Sequence, residues 1–422
     1  MIRIAKVTVI GGGSTYTPEF VDGFIQRRDV LSVGEISLYD INPQRLELVG
    51  GLIKRMIAHA GLETRITLST NRPAAVEGAD FVISQIRVGG MEARIRDERI
   101  PLRYGVIGQE TTGPGGFMNA MRTIPVTLEI AQDIARYAPQ AWYLNFTNPS
   151  GIITECLLKH TTLKVVGLCN NPINAIRAVA QSFNVTDDDV FLDWVGLNHL
   201  AWIRTAYVKG RPLDIEELVQ LANSEHFPFE PDLVRLLGML PIGYLAYYYY
   251  HDLAVQKVRD AGRTRGEVVR EVEEDLLRKY ADPSLTVKPP ELSMRGGALY
   301  SEMAVRLIVS LLTDRRDVQI VNTRNGGSIA DLPDDVSIEA PCVVGAHGVT
   351  PLRVGRLPRI IRPLVQAVKA YEEYAVEAGM SGSRETALKA LLTHPLVPSY
   401  PVAKAMLEEM LEANKDYLPQ FI

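Results

Sequence analysis

Apolar and polar positions along the first two hundred residues alternate between short hydrophobic runs and longer segments with helical spacing. The runs that predict strands lie at residues 7–10, 35–39, 65–68, 81–86, 142–146 and 165–168. Helical spacing covers residues 18–28 and 43–59, and Asn42 followed by Pro43 is typical of a helix N-terminus. This rhythm predicts an α/β fold with an N-terminal Rossmann-like, doubly wound parallel sheet.

The pattern changes beyond residue 202. Helical spacing there extends over residues 267–279 and 303–312, and an extended segment follows at residues 318–343. These elements indicate a second lobe of α+β character, and we divide the chain into residues 1–200 and residues 201–422. Because the sequence has no low-complexity linker between the two parts, we expect them to share an extensive interface.

Composition and charge narrow the class of protein. The chain has 422 residues, a formal net charge of -5 and no Lys/Arg tract, so we expect no nucleic-acid partner. No apolar run reaches the roughly 20 residues that span a bilayer, and the N-terminus resembles a strand rather than a signal peptide. Three cysteines are too few for a disulfide framework. We therefore expect a cytoplasmic protein without a membrane partner.

A glycine-rich segment at residues 11–16 follows the first predicted strand and precedes the first predicted helix. Gly11 and Gly13 match the first two glycines of a Rossmann turn, whereas Tyr16 stands in place of the third. Asp40 ends the second strand, where an acid favours NAD over NADP. An ordinary strand-to-helix turn is the alternative. If the first domain binds NAD, the expected contact residues are Gly11, Gly13, Ser14, Thr15 and Asp40.

Cys169 and His199 have side chains suited to a divalent transition metal. Cys169 follows the predicted strand at residues 165–168, and Asn145 and Asn148 lie at the same carboxyl edge, where open α/β sheets bind ligands. His199 follows the next apolar run and can reach the same crevice. The alternatives are a buried, inert cysteine and a structural histidine whose hydrogen bonds are satisfied.

Six ordered motifs make the chain similar to a known family. They are residues 11–18 (GGGSTYTP), 107–113 (IGQETTG), 145–149 (NFTNP), 167–170 (GLCN), 196–199 (GLNH) and 290–292 (PEL). Together they span nearly the whole chain and closely resemble the family 4 glycoside hydrolases. The resemblance implies a glycosidase that depends on NAD and a divalent metal, and this family is an exception to the mechanism with two carboxylates.

The resemblance also implies a mechanism. In that family NAD⁺ takes a hydride from sugar C3, a base removes the C2 proton, the aglycone leaves, water adds and the hydride returns. Cys169 and His199 would hold the metal, usually manganese. Tyr244 would be the base, and Glu110 would raise its basicity. The residues implied to contact the sugar, its phosphate or the nicotinamide ribose are Arg87, Asn148, Asn170, Arg265, Arg295 and, at the ribose, Asn145.

The residue after the ligand cysteine indicates which substrate to expect. Family members that act on α-linked 6-phosphoglucosides have an aspartate there, proposed as the leaving-group acid, whereas this chain has Asn170. The resemblance therefore implies hydrolysis of 6-phospho-β-glucosides, such as cellobiose 6-phosphate, and leaves the acid unassigned. A phosphate dianion calls for arginine. Arg265 fits the family's substrate arginine better than Arg263, although the choice between them stays open.

A run of tyrosines follows Tyr244. Because Tyr247, Tyr248 and His251 have helical spacing, we expect them to form a packed stripe rather than part of the site.

Three other functions stay open on the sequence alone. An α-galactosidase or α-glucuronidase of the same family would use NAD and manganese without a phosphate clamp. A malate-type, NAD-dependent dehydrogenase of a small hydroxy acid would account for the Rossmann half only. A redox-sensing regulator would bind NAD without chemistry. For the assembly, the resemblance implies a homodimer or homotetramer, and the C-terminal domain is the expected substrate-binding and oligomerisation domain.

Overall fold

A computed structural model describes residues 2–295 and 299–421 of the chain. The strands of this part of the chain are β1 Ile2–Ile10, β2 Leu31–Tyr39, β3 Arg65–Ser69, β4 Phe81–Ser84, β5 Trp142–Asn145, β6 Lys164–Gly167, β7 Val190–Leu197, β8 Leu200–Val208, β9 Arg211–Pro212, β10 Leu240–Pro241, β11 Asp317–Arg324, β12 Ser337–Gly345 and β13 Gly348–Pro351.

Strands β1 to β6 are parallel and lie in the order β3-β2-β1-β4-β5-β6. This is the strand order of a dinucleotide-binding Rossmann sheet, and it reverses between β1 and β4, where such folds bind ligands. Strand β4 is buried along its whole length, as expected for a parallel sheet covered by helices on both faces. The predicted doubly wound parallel sheet is confirmed.

The C-terminal half extends the same sheet. Strands β11, β12 and β13 continue it beyond β6 in antiparallel orientation, beginning where Asn322 pairs with Gly167. Strands β7, β8, β9 and β10 form a second, smaller sheet. Because the C-terminal strands complete the N-terminal sheet, the two halves share a core. The division at residue 200 into two domains stays a prediction.

The helices pack on both faces of the large sheet and around the small one. Within the described ranges they are α1 Thr17–Gln26, α2 Pro43–His59, α3 Arg72–Val76, α4 Gly90–Arg103, α5 Gly113–Tyr137, α6 Ser150–His160, α7 Asn171–Ser182, α8 Ile215–Val219, α9 Pro231–Leu237, α10 Ala246–Tyr249, α11 His251–Ala261, α12 Arg265–Tyr280, α13 Tyr300–Thr313, α14 Arg362–Ser381, α15 Arg384–Thr393 and α16 Tyr400–Ala413. None of the helices described is long and apolar enough to cross a membrane.

Side-chain caps fix the start of two helices that border the site. The Asn42 side chain accepts a hydrogen bond from the N–H of Arg45 at 3.0 Å, so α2 begins at the predicted position. Thr264 and Glu267 form a reciprocal capping box at the start of α12. Because Arg265 is the first residue of α12, this box also determines where its side chain leaves the backbone.

A buried carboxylate joins the two sheets. Glu339 on β12 accepts hydrogen bonds from Trp194 Nε1 at 3.1 Å, from Asn198 Nδ2 at 2.9 Å and from Asn322 Nδ2 at 3.4 Å. Burial raises the pKa of Glu339 to about 7, although the three donors oppose the shift. Since Asn198 precedes His199, this contact also holds the turn between β7 and β8.

Candidate active site

The carboxyl ends of the parallel strands open into one cavity of about 1340 Å³. A single small ligand commonly occupies roughly 300–1,000 Å³, so this space suits a dinucleotide together with a sugar. The predicted site residues that line the cavity are Gly11, Gly13, Ser14, Asp40, Arg87, Glu110, Asn148, Asn170, His199, Tyr244, Arg265 and Arg295. Residues that lie far apart in the sequence therefore line one half-open cavity.

The turn after β1 lets the backbone approach a ligand closely. Gly11 has a φ of +87°, and a Cβ there would lie 2.9 Å from the carbonyl oxygen of Gln85, so other residues would be strained. The Asp40 carboxylate accepts hydrogen bonds from the N–H groups of Gly13 and Asn42, each at 2.9 Å. These hydrogen bonds fix the shape of the turn, and the contact of Gly11, Gly13, Ser14 and Asp40 with a dinucleotide stays a prediction.

Tyr16 occupies the position of the third glycine in a Rossmann turn. Its ring is buried beside the turn, and the guanidinium carbon of Arg295 lies 5.7 Å from the ring centroid. The face of the Tyr16 ring is therefore next to the guanidinium of Arg295, an arrangement that favours a cation.

Two residues predicted to contact the dinucleotide lie behind the cavity wall. Thr15 is fully buried, and its carbonyl oxygen accepts a hydrogen bond from the Tyr280 hydroxyl at 2.7 Å. Asn145 is also fully buried, and its Nδ2 donates to the Thr147 carbonyl at 3.3 Å and to the Thr154 hydroxyl at 3.2 Å. Neither is among the described residues that line the cavity. Their contact with a dinucleotide stays a prediction.

Cys169 and His199 lie within reach of one cation. Cys169 follows β6, and His199 occupies the turn between β7 and β8 with a φ of +59°. Cys169 Sγ lies 3.3 Å from His199 Nε2, and both residues are buried. Burial lowers the pKa of His199 to about 4, so its ring is neutral and can act as a ligand.

The protein ligands at this position are few. Among the described residues, no group of three or more His, Cys, Asp and Glu side chains could hold a metal. A thiolate and a neutral imidazole fit a borderline divalent ion, and the remaining ligands would have to come from the sugar or water. The residues present therefore fit a metal that binds together with its substrate.

Tyr244 lies directly against His199. Its ring stacks on His199 with centroids 4.2 Å apart and planes at 10°, and Tyr247 contacts it edge-on at 5.8 Å. Burial raises the pKa of Tyr244, and Tyr247, Cys169 and Glu110 raise it further. A tyrosinate at this position therefore requires a cation nearby.

Glu110 is held ionised by arginines. Its carboxylate lies 3.0 Å from Arg87 and 3.1 Å from Arg94. Burial alone would raise the pKa of Glu110, but Arg94, Arg87 and Arg295 together lower it to about 2. The site thus keeps a fixed negative charge beside Tyr244, in keeping with the role predicted for this carboxylate, which stays a prediction.

A second carboxylate, Glu273 on α12, lies among three arginines. Its oxygens are 2.9 Å from Arg295, 3.4 Å from Arg45 and 3.9 Å from Arg87. Burial raises the pKa of Glu273, and the arginines outweigh that effect and lower it. The cluster remains rich in positive charge and lines the cavity, so it suits a phosphate dianion.

The structure distinguishes the two arginines at the start of α12. Arg265 lines the cavity and donates to the Met294 carbonyl at 2.8 Å. Arg263 pairs with Glu271 at 2.7 Å and is not among the described residues that line the cavity. The geometry therefore favours Arg265 as the arginine that can reach a ligand.

The expected stripe of tyrosines is interrupted. Helix α10 ends at Tyr249 and α11 begins at His251, so the spacing is not continuous. Tyr248 and His251 do pack, with their polar atoms near His394 at 3.4 Å and the Ile107 N–H at 3.3 Å. Tyr247 instead lines the cavity, which corrects the expectation for that residue.

Sequence reasoning missed other residues of the cavity wall, namely Arg45, Arg94, Tyr247 and Glu273. Only Glu273 carried a usable signal, because it falls on the buried face of α12 between Val269 and Leu276. An acid on an apolar face indicates a buried partner of opposite charge. In the sequence, Arg45 on α2 and Arg94 on α4 look like ordinary surface residues of a helix.

The chain matches the sequence families described as Family 4 glycosyl hydrolase, over residues 6–185, and Family 4 glycosyl hydrolase C-terminal domain, over residues 194–397. A protein of Bacillus subtilis (strain 168) named "Probable 6-phospho-beta-glucosidase" is 46% identical over 436 residues, covering 100% of this chain and 99% of the relative. The 6-phospho-beta-glucosidase of Thermotoga maritima is 41% identical over 423 residues, covering 98% and 99%.

More distant and structural relatives extend the comparison. The 6-phospho-alpha-glucosidase of Leptotrichia buccalis is 30% identical over 438 residues, covering 98% of each chain. The Thermotoga maritima 6-phospho-beta-glucosidase, solved with manganese, NAD⁺ and glucose-6-phosphate, superposes with a TM-score of 0.91 at 39% identity and covers 98% of this chain and 99% of that one.

Strand order, glycine turn and cavity together define an α/β enzyme of the dinucleotide-binding class. The family matches and full-length relatives narrow that class. The chain belongs to the family 4 glycosyl hydrolases, and the resemblance drawn from its six motifs is confirmed.

Proposed function

We propose that the protein hydrolyses 6-phospho-β-glucosides in a reaction that depends on NAD and manganese. The observation that carries the proposal is the single cavity lined by the glycine turn, by His199 and Tyr244, and by an arginine cluster. The β-glucosidase names of the relatives at 46% and 41% identity support the linkage, since the α-acting relative is only 30% identical. Asn170 in place of an aspartate supports the same choice.

The residues of the cavity have distinct roles in this proposal. When bound, NAD would supply a hydride acceptor for sugar C3, and manganese would supply positive charge at the sugar hydroxyls. Cys169 and His199 hold the metal, and Asn148 and Asn170 bind sugar hydroxyls. Tyr244 removes the C2 proton beside them.

The 6-phosphate is bound by arginines. Arg265 lines the cavity and is not paired with a carboxylate among the described residues, whereas Arg87 and Arg295 are shared with Glu110 and Glu273. A planar guanidinium matches the oxygens of a phosphate dianion. The proposal therefore assigns the main phosphate contact to Arg265, with Arg87 and Arg295 completing the positive wall.

The direct test compares p-nitrophenyl β-glucoside with its 6-phosphate in the presence of NAD⁺, Mn²⁺ and a thiol reductant. We expect hydrolysis of the phosphorylated compound only, without net absorbance change at 340 nm because the hydride returns to the sugar. Equal turnover of the unphosphorylated β-glucoside would refute the requirement for a 6-phosphate. Turnover of p-nitrophenyl α-galactoside or α-glucuronide instead would favour the other activities of the family. Stoichiometric NADH would instead indicate a dehydrogenase, and binding without turnover would indicate a regulator.

Two matched variants test the phosphate assignment. Arg265→Met should raise KM for the phosphorylated substrate, whereas Arg263→Met should leave it unchanged because Arg263 pairs with Glu271 outside the cavity. Equal KM values for the two arginine variants would refute the assignment of the phosphate to Arg265.

An isotope effect tests the role of Tyr244. A substrate deuterated at C2 should react more slowly if removal of the C2 proton limits the rate.

We further propose a cytoplasmic homodimer or homotetramer. A site that needs a reduced thiolate suits a reducing compartment. Light scattering after size-exclusion chromatography measures the assembly directly, and a monomeric mass for the active enzyme would contradict this part of the proposal.

A further inference from the structure

We infer that Glu273 is a positioning residue that couples binding of the dinucleotide to binding of the phosphorylated sugar. The inference rests on the proposed function, because that function places the dinucleotide at the glycine turn and the phosphorylated sugar at the arginine cluster. These two parts of the cavity are called its dinucleotide end and its sugar end. Glu273 lies at the middle of α12 and is only 4% exposed.

Helix α12 is tied to both ends of the cavity. At its N-terminus, the N–H of Gly266 donates to Glu98 Oε2 at 2.6 Å, and Glu98 in turn accepts from Arg94 Nε at 2.8 Å, in the cluster at the sugar end. At its C-terminus, the Tyr280 hydroxyl donates to the carbonyl oxygen of Thr15 in the glycine turn at 2.7 Å. A displacement at one end of this rigid helix is therefore transmitted to the other.

The Glu273 carboxylate connects guanidinium groups that belong to different ends. On the dinucleotide side, Arg45 donates from Nε to the Gly13 carbonyl at 3.2 Å and lies 3.4 Å from Glu273 through Nη2. On the sugar side, Arg295 donates to Glu273 Oε1 from Nε at 3.1 Å and from Nη2 at 2.9 Å. The chain of contacts is continuous from the glycine turn to the substrate arginines.

This arrangement predicts positive coupling. The guanidinium groups of Arg45, Arg87 and Arg295 repel one another, and the Glu273 carboxylate between them fixes their relative positions. The ligand that binds first orders these long side chains, so the second ligand meets groups that have already lost their rotamer freedom. Because coupling is reciprocal, either ligand should tighten the other by the same factor.

The test measures a ratio of binding constants. Isothermal titration gives the Kd of glucose 6-phosphate with and without saturating NAD⁺, at one fixed Mn²⁺ concentration. For the unmodified protein we expect NAD⁺ to tighten binding about fivefold or more. In Glu273→Gln the ratio should fall to near one. Glu274→Gln, which changes an exposed carboxylate of the same helix, should keep the original ratio.

If Glu273 had a merely structural role, Glu273→Gln would weaken the binding of each ligand alone or lower Tm. The ratio of the Kd values without and with NAD⁺ would then stay unchanged. An unaltered ratio in Glu273→Gln, or a ratio of one in the unmodified protein with both ligands bound, therefore overturns the inference alone. Failure of the unmodified protein to bind either ligand overturns the proposed function and this inference together. If Glu273→Gln does not fold, Arg45→Met tests the same link, and a retained ratio there has the same meaning.

Discussion

The stacked pair of Tyr244 and His199 makes the sharpest prediction at the scale of single residues. Tyr244→Phe removes the hydroxyl and keeps the ring that stacks on His199. The value of kcat should therefore fall by about 10²- to 10⁴-fold, the usual contribution of a general base. The Kd of NAD⁺ should stay the same because the glycine turn is untouched. Tyr207→Phe, on β8 and in ring contact with Phe191, is the control. A kcat within threefold of the original would refute the assignment.

The metal site gives a second prediction at this scale. Cys169→Ser exchanges the thiolate, a soft ligand, for a hydroxyl. Loss of an outer-shell partner usually weakens metal binding by 10–100-fold, so a direct ligand should cost at least about tenfold. Electron paramagnetic resonance of free Mn²⁺ measures the affinity. Cys342→Ser, a buried cysteine on β12 whose Sγ donates to the Ala340 carbonyl at 3.2 Å, should bind Mn²⁺ normally.

The location of a single residue in the fold was predictable where the residue lies next to the end of a predicted strand. Cys169 lies just beyond a parallel strand, and every such strand ends at the same edge, so its place beside His199 followed from the pattern. Cys169 itself is not among the described residues that line the cavity. Thr15 and Asn145 occupy the same edge but face the interior. Asn145 is the last residue of β5 and Thr15 lies in the turn after β1. The direction of a side chain at a strand end or in a turn depends on local backbone geometry, which the sequence pattern does not contain.

At the scale of elements, the cap of α12 fixes the start of the helix that carries Arg265, the proposed phosphate ligand, and Glu273. Thr264→Ala removes the side chain that accepts from the Glu267 N–H, so the free energy of unfolding should fall by about 1 kcal/mol. Thr264→Ser keeps the hydroxyl and should stay close to the original value. Urea unfolding followed by circular dichroism measures both. Equal stabilities for the two variants would show that the cap contributes nothing.

Elements were predictable where local signals were strong. Helix α2 ends at His59 as expected, because Asn42 and Pro43 fix its start and apolar spacing carries it to its end. The break between α10 and α11 at Tyr250 was missed because helical spacing continues through it. The pairing of β11 with β6 could not be predicted either, since the partners are distant in sequence and either edge of the sheet satisfies the pattern.

The whole molecule should show a pH-dependent stability through Glu339, which joins the two sheets. Burial raises its pKa from the usual 4.5 to about 7, so between these values the folded state binds the proton more tightly than the unfolded chain does. The stabilising contribution is therefore full below pH 4.5 and is lost as the pH rises through 7. At 1.36 kcal/mol per pKa unit, the loss between pH 5 and pH 7 is roughly 2 kcal/mol.

Comparison with Glu339→Gln isolates this contribution. The free energy of unfolding of the original protein minus that of the variant should decrease from pH 5 to pH 7, whatever the offset between the two. Glu377→Gln, which changes an exposed carboxylate on α14, controls for the general effect of removing one negative charge. A flat difference for Glu339→Gln would contradict the assigned cause.

The place of β11 beside β6 has a consequence for biosynthesis. During translation, β6 is synthesised about 150 residues before Asn322, the β11 residue that pairs with it. The edge of β6 therefore stays unpaired for roughly 10 to 30 seconds at ordinary elongation rates. An uncovered strand edge is a template for association between nascent chains. The yield of soluble protein should therefore respond to translation speed and chaperone supply more than to the thermostability of the finished enzyme.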